Sequence, residues 1–179
     1  TALSNLTSLG GDLILYVNPS LSSLGGLENL GSISGFLDIY FTGLTNLTGL
    51  DNLLSIGDYL KIVFNSELTS LAGLENLTSI GSGLEIYHNN LTSLTGLENL
   101  TFIVGLLWIH DTGILTSLFA LDHDIYIAGD LKIYNNESLS SCEAKSICDY
   151  IVNPAGDIYI MNNALGCNSL EEVEEACET

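Results

Sequence analysis

Apolar and polar positions recur along this chain with a period of 23 or 24 residues. Leu27, Leu50, Leu74, Leu97 and Leu121 anchor the copies. Six residues on stand Ile33, Ile56, Ile80, Ile103 and Ile127, and ten residues on Leu37, Leu60, Leu84, Leu107 and Leu131. Leu3 and Leu13 put an earlier copy in register, and Ile158 opens a looser final one. From the second leucine the chain alternates apolar and variable residues, as in Leu37-Asp38-Ile39-Tyr40, Leu84-Glu85-Ile86-Tyr87 and Leu131-Lys132-Ile133-Tyr134. That period of two predicts a half-buried strand. Such segments begin at Leu13, Leu37, Leu60, Leu84, Leu107, Leu131 and Ile158, which predicts about seven coils of a solenoid. Each strand would pair with its copy in the next coil about 4.8 Å away. Between strands the apolar residues fall every three positions, as in Leu68, Leu71, Leu74, Leu77 and Ile80. This suits a tightly wound, roughly triangular coil, whereas amphipathic helices would mix spacings of three and four.

Two columns of amides accompany the apolar ones. Asn18, Thr42, Asn65, Asn89, Thr112, Asn136 and Asn163 follow the strands, and Asn29, Asn52, Asn76 and Asn99 follow the anchors. Stacked carboxamides can bond up and down a solenoid and to turn backbone, so both columns read as structural. The same reading covers the recurring Asn-Leu-Thr at Asn5, Asn46, Asn76, Asn90 and Asn99, which the repeat itself generates rather than a need for glycosylation. From Ser140 the repeat breaks. Ser140 with Glu143, and Ser169 with Glu172, are capping-box pairs that predict one helix to about Val152 and a second ending near Cys177. The chain thus divides into repeats over 1–139 and a last coil with a helical C-terminal cap over 140–179, in one domain.

All four cysteines lie in that cap. Cys142 and Cys167 hold similar places in adjacent coils, and Cys148 and Cys177 sit in the two helices, which favours disulfides Cys142–Cys167 and Cys148–Cys177. Cys142–Cys148 with Cys167–Cys177 is the alternative, and a zinc site is the rival without a CxxC spacing to support it. Disulfides place the chain in an extracellular compartment, secreted or at the cell surface.

The run L-x-S-L-x-G-L-E-N-L-x-S-I-G-x-x-L-x-I-Y-x-N, best formed over Leu68–Asn89, resembles the receptor L-domain family. The resemblance covers nearly the whole chain and implies a right-handed, leucine-rich-repeat-like β-solenoid. The end, from Ser141-Cys142 through Gly166-Cys167-Asn168-Ser169 to Cys177, is similar to bacterial, Bacteroidetes-type members that are secreted or surface-displayed. Those members are often followed by a secretion-sorting domain, which this sequence does not contain. Receptor cysteine-rich modules are missing as well, so hormone-receptor function is not implied.

Charge narrows the partners. Of 179 residues, 22 are acidic and 3 basic, a formal net charge of −19. Phosphate contacts need Lys and Arg, so nucleic acid is excluded as an expected partner, and anionic membranes are disfavoured. A 46% hydrophobic content excludes a disordered acidic tail. Phe102 to Ile109 is the longest nearly apolar run, far short of the roughly 20 residues of a membrane span. No signal peptide opens the sequence, which reads as a mature or excised piece, with preceding residues or another domain expected before Thr1.

The outward strand positions form two columns. One reads Ile14, Asp38, Lys61, Glu85, Trp108, Lys132 and Tyr159, the other Tyr16, Tyr40, Val63, Tyr87, His110, Tyr134 and Met161. The only tryptophan and five of the eight tyrosines thus share one face. Aromatics there suit a protein or polysaccharide ligand, with Tyr40, Tyr87, Trp108, His110 and Tyr134 as the expected binding residues, and oligomerisation through the same face is a further use. Tyrosine stacking also stabilises sheets by itself, so a structural spacer is the alternative. Glu28, Asp51, Glu75, Glu98 and Asp122 form an acidic column whose oxygens could hold calcium, or could accept hydrogen bonds from backbone N–H groups at each corner. No nucleophile elbow, HExxH or phosphate loop occurs, and His88, His110 and His123 fall in different columns, so no enzyme is expected.

Overall fold

The computed structural model describes residues 3–178, and they form a parallel β-solenoid. Seven strands, Leu13–Asn18, Leu37–Thr42, Leu60–Val63, Leu84–Tyr87, Leu107–His110, Leu131–Tyr134 and Ile158–Met161, make a wide sheet in sequence order. Each begins at the residue that the alternation marks. Register follows the repeat, so that Leu84 pairs Leu107 and Leu107 pairs Leu131. The inward residues Leu37, Ile39, Leu60, Ile62, Leu84, Ile86, Leu107 and Ile109 are fully buried, and burying each stabilises the fold by about 1.5–3 kcal/mol.

A second, narrow sheet was not anticipated from the sequence. Ser8–Leu9, Ser32–Ile33, Ser55–Ile56, Ser79–Ile80, Phe102–Ile103 and Tyr126–Ile127 pair in parallel, two residues per coil. Two residues are too few to display an alternation. The leucine-rich stretch between the sheets is a chain of tight turns: Leu68 N bonds Asn65 O, Leu74 N bonds Leu71 O, and Leu77 N bonds Leu74 O, at 2.9–3.1 Å. Three residues per turn put one leucine of each turn inside.

Coils stack closely where glycine stands. A Cβ on Gly81 would lie 2.1 Å from Gly57 O, so the corner before the wide strand admits no side chain there. At the opposite corner the buried amide column behaves as read. Asn65 Oδ1 accepts from Thr42 N and Oγ1, while its Nδ2 donates to Ile39 O and Val63 O. Asn136 and Asn163 repeat the scheme further along.

The two ends differ. Leu13 and Leu15 in the first wide strand are only half-buried, unlike their fully buried copies Leu37 and Ile39. At the other end, helices α1 (Lys145–Val152) and α2 (Leu170–Cys177) pack on each other, and α2 lies against Ile158–Met161. The disulfides are Cys142–Cys167 and Cys148–Cys177, each with Cα atoms 5.6 Å apart. Ser169 caps α2 as expected, its Oγ accepting from Glu172 N. The Ser140–Glu143 box does not form. Helix α1 starts later, after Ala144, and its first amide, Lys145 N, donates to Asp122 Oδ1 of the preceding coil. A cap delivered from 23 residues upstream replaces the local one.

Candidate binding face

The outward face of the wide sheet carries a continuous row of rings. Tyr16 stacks on Tyr40 with centroids 4.6 Å apart, and Tyr40 meets Phe64 at 5.5 Å. Phe64 meets Tyr87 at 5.9 Å, Tyr87 stacks on His110 at 4.3 Å, and His110 stacks on Tyr134 at 5.0 Å. Trp108 lies beside this row, 4.8 Å from His110, and its Nε1 donates to Tyr134 Oη at 3.0 Å. The structure therefore brings Tyr40, Tyr87, Trp108, His110 and Tyr134 into one array.

Phe64 was not singled out by the sequence reading, yet it closes the gap left by Val63 in the tyrosine column. It belongs to a third column, Val17, Phe41, Phe64, His88, Asp111, Asn135 and Asn162, in which every residue has φ between 49° and 57°. This left-handed conformation turns the chain from the strand into the column Asn18, Thr42, Asn65, Asn89, Thr112, Asn136 and Asn163. It also places Phe41 and Phe64 on the surface, 47% and 42% exposed. Asn and Asp at three of the seven positions are the sequence signal for it, since they tolerate this conformation best.

The expected binding residues differ in how open they are. His110, one of the expected binding residues, is buried between the rings of Tyr87 and Tyr134. Its Nδ1 lies 2.6 Å from Asp111 Oδ2, which calls for a proton on Nδ1. Among the described residues, His110 Nε2 is the buried side-chain polar atom without a hydrogen-bond partner. Stacking at 19° and 20° covers both faces of the His110 ring and one face each of Tyr87 and Tyr134. The larger open apolar area lies toward the first strands, at Ile14, Tyr16, Val17, Phe41 and Phe64, and a smaller one at the last strand, at Tyr159 and Met161.

Electrostatics set this face apart. Lys61 pairs with Glu85 at 3.2 Å, and Lys132 pairs with Asp130 at 2.9 Å and lies over the Trp108 and Tyr159 rings. Two of the three basic residues of a chain of net charge −19 are thus on this one face. Burial pushes the Asp38 carboxyl up, and burial with the neighbouring Glu85 pushes the Tyr87 phenol up. Both shifts disfavour added negative charge here.

The acidic column proposed for calcium is otherwise engaged. Glu28, Asp51, Glu75 and Glu98 each accept from the amide two residues back, at Gly26, Gly49, Gly73 and Gly96, at 2.7–2.8 Å. Those glycines have φ of 110–115°. Asp122 lacks the glycine and caps α1 instead. Among the described residues, no group of three or more His, Cys, Asp or Glu side chains is placed to hold a metal. The column is a turn-closing device, and Glu172 repeats it in the cap by accepting from Gly166 N at 2.8 Å.

No family model, curated protein or solved structure matches this chain. The disulfides point to an oxidising compartment, and no helix among the described residues is long and apolar enough to cross a membrane.

Proposed function

We propose that this chain is a non-catalytic binding or adhesion module, secreted or displayed at a cell surface, that recognises a protein or polysaccharide through the outward face of its wide sheet. The observation that carries this reading is the unbroken ring row from Tyr16 to Tyr134. Solenoids commonly use such a face for ligands. Exposed aromatics supply contact area at low entropic cost. The resemblance of the repeat to receptor L-domains supports the same assignment without naming a ligand. Since His110 is buried between Tyr87 and Tyr134 while Tyr16, Phe41 and Phe64 stand exposed, the ligand engages that end of the row, at Tyr16, Tyr40, Phe41 and Phe64.

The test is Phe41→Asn with Phe64→Asn, screened on a glycan array with calcium and with chelator, and against a panel of surface proteins. Asparagine already occupies this column at Asn135 and Asn162, so the backbone accepts it. Saturable binding by the parent that weakens about tenfold in the variant is the expected result. Binding indifferent to the variant would move the site elsewhere. No saturable ligand in either format would favour a spacer, in which the rings serve only to hold the sheet together.

A further inference from the structure

We propose a second binding site on the other sheet, at its last two coils: a groove that takes an arginine side chain presented by a partner protein. The narrow sheet opens every coil with the same residue, Ser8, Ser32, Ser55 and Ser79 in mutual register, until Phe102 and Tyr126 replace it in the two coils next to the cap. The fold does not bury these rings, since Phe102 is 51% and Tyr126 60% exposed. Large apolar area left in water where the repeat elsewhere uses serine contributes little to packing. Their centroids lie 6.4 Å apart at 60°.

Between and beside them is a cavity of about 500 Å³ lined by Thr101, Phe102, Asp124, Ile125, Tyr126 and Asp149. Two carboxylates therefore stand at the wall of an aromatic groove. Both already hold one cation, since Lys145 Nζ binds Asp124 Oδ1 and Asp149 Oδ2. Asp124 Oδ2 and Asp149 Oδ1 take no part in these two ion pairs. The hydrogen bond and charge of Lys145 hold the Asp124 carboxyl below its ordinary range, so it stays ionised. The trio carries one net negative charge and complements one further cation. A planar guanidinium fits better than an ammonium, because it stacks on an aromatic ring while forking onto a carboxylate. The site shares no residue with the wide-sheet face and does not depend on it.

The experiment titrates the isotope-labelled 179-residue chain with acetyl-Gly-Gly-Arg-Gly-Gly-amide and with its lysine counterpart, read by amide NMR shifts. Shifts concentrated at Phe102, Asp124, Tyr126 and Asp149 are expected, with the arginine peptide about threefold tighter. Phe102→Ser with Tyr126→Ser restores the residue that four other coils carry, so it keeps the fold. This variant should bind about tenfold more weakly, with an unchanged thermal melt. Asp124→Asn, which leaves both rings, should also weaken binding. Shifts spread over the whole acidic surface, or equal affinity in the serine variant, would overturn the site and reduce the effect to general attraction of cations by an anionic protein.

Discussion

Two asparagine columns run along this solenoid and perform one chemistry in opposite surroundings. Asn65, at the corner after the wide strand, is fully buried and uses both ends of its carboxamide on backbone and hydroxyl groups of its own and the adjacent coil. Asn76, at the corner before the narrow sheet, is exposed and donates through Nδ2 to Asp51 O at 2.7 Å. Water can replace the second contact but not the first set. The comparison teaches that the buried corner fixes coil stacking, while the exposed one trims it.

Asn65→Ala should therefore have the largest effect. It would strip partners from Thr42 N and Oγ1, Ile39 O and Val63 O inside the core. A loss of about 4 kcal/mol is expected, read as the shift in urea midpoint at constant slope. A loss near that of an exposed site would mean that the column is not needed for stacking.

Gly73→Ala tests the buried backbone behind the exposed side chains of this corner. Gly73 has φ of 110°, and a Cβ there would lie 2.1 Å from Leu47 O. The expected cost is about 2–3 kcal/mol, again by chemical denaturation. A neutral substitution would show that this corner can open without consequence for its neighbours.

What the sequence displayed and what it hid follow the same division. All seven wide strands were legible because their inward Leu and Ile residues repeat at fixed spacing, fully buried in the inner strands and partly buried at Leu13, Leu15 and Ile158 on the ends. The narrow sheet was hidden because its strands are two residues long. The left-handed column was hidden because Val17, Phe41 and Phe64 are not residues that choose that conformation; the turn between the strand and the Asn/Thr column that follows requires it of them. The array of Tyr40, Tyr87, Trp108, His110 and Tyr134 was legible as a face. Its bridging by Phe64 and the enclosure of His110 depend on that imposed turn. The start of α1 was misread because Asp122, a non-local residue, supplies the cap.

Val17→Asn sharpens this point. A β-branched residue at φ of 54° is held there at a cost, and asparagine adopts it more readily. Stabilisation of about 1 kcal/mol is expected, measured as a rise in thermal midpoint. A fall would mean that the exposed valine contributes packing that outweighs its backbone strain. Asn76→Ala should cost less, about 0.5 kcal/mol, and an effect as large as that of Asn65→Ala would erase the contrast between the two columns.

The smallest effect is in the charges, and it bears on whether the acidic corner can hold a cation. The amide of Gly26 holds the Glu28 carboxyl below its ordinary 4.5, whereas burial raises Asp38, on the wide face, above its ordinary 3.8. A folded-state value lowered below the unfolded one contributes stability above the unfolded value and loses it as the pH falls through the folded value. Asp38 has the opposite sign: its contribution is present below its unfolded value and is lost as the pH rises through the folded one. Carboxyl-carbon NMR titration should place the Glu28 midpoint under 4.5 and the Asp38 midpoint over 3.8. Adding calcium should leave the Glu28 midpoint where it is, because the carboxylate already serves the turn. A calcium-dependent drop in that midpoint would show the ion displacing the glycine amide, and the acidic column would then be a cation site rather than a turn-closing one.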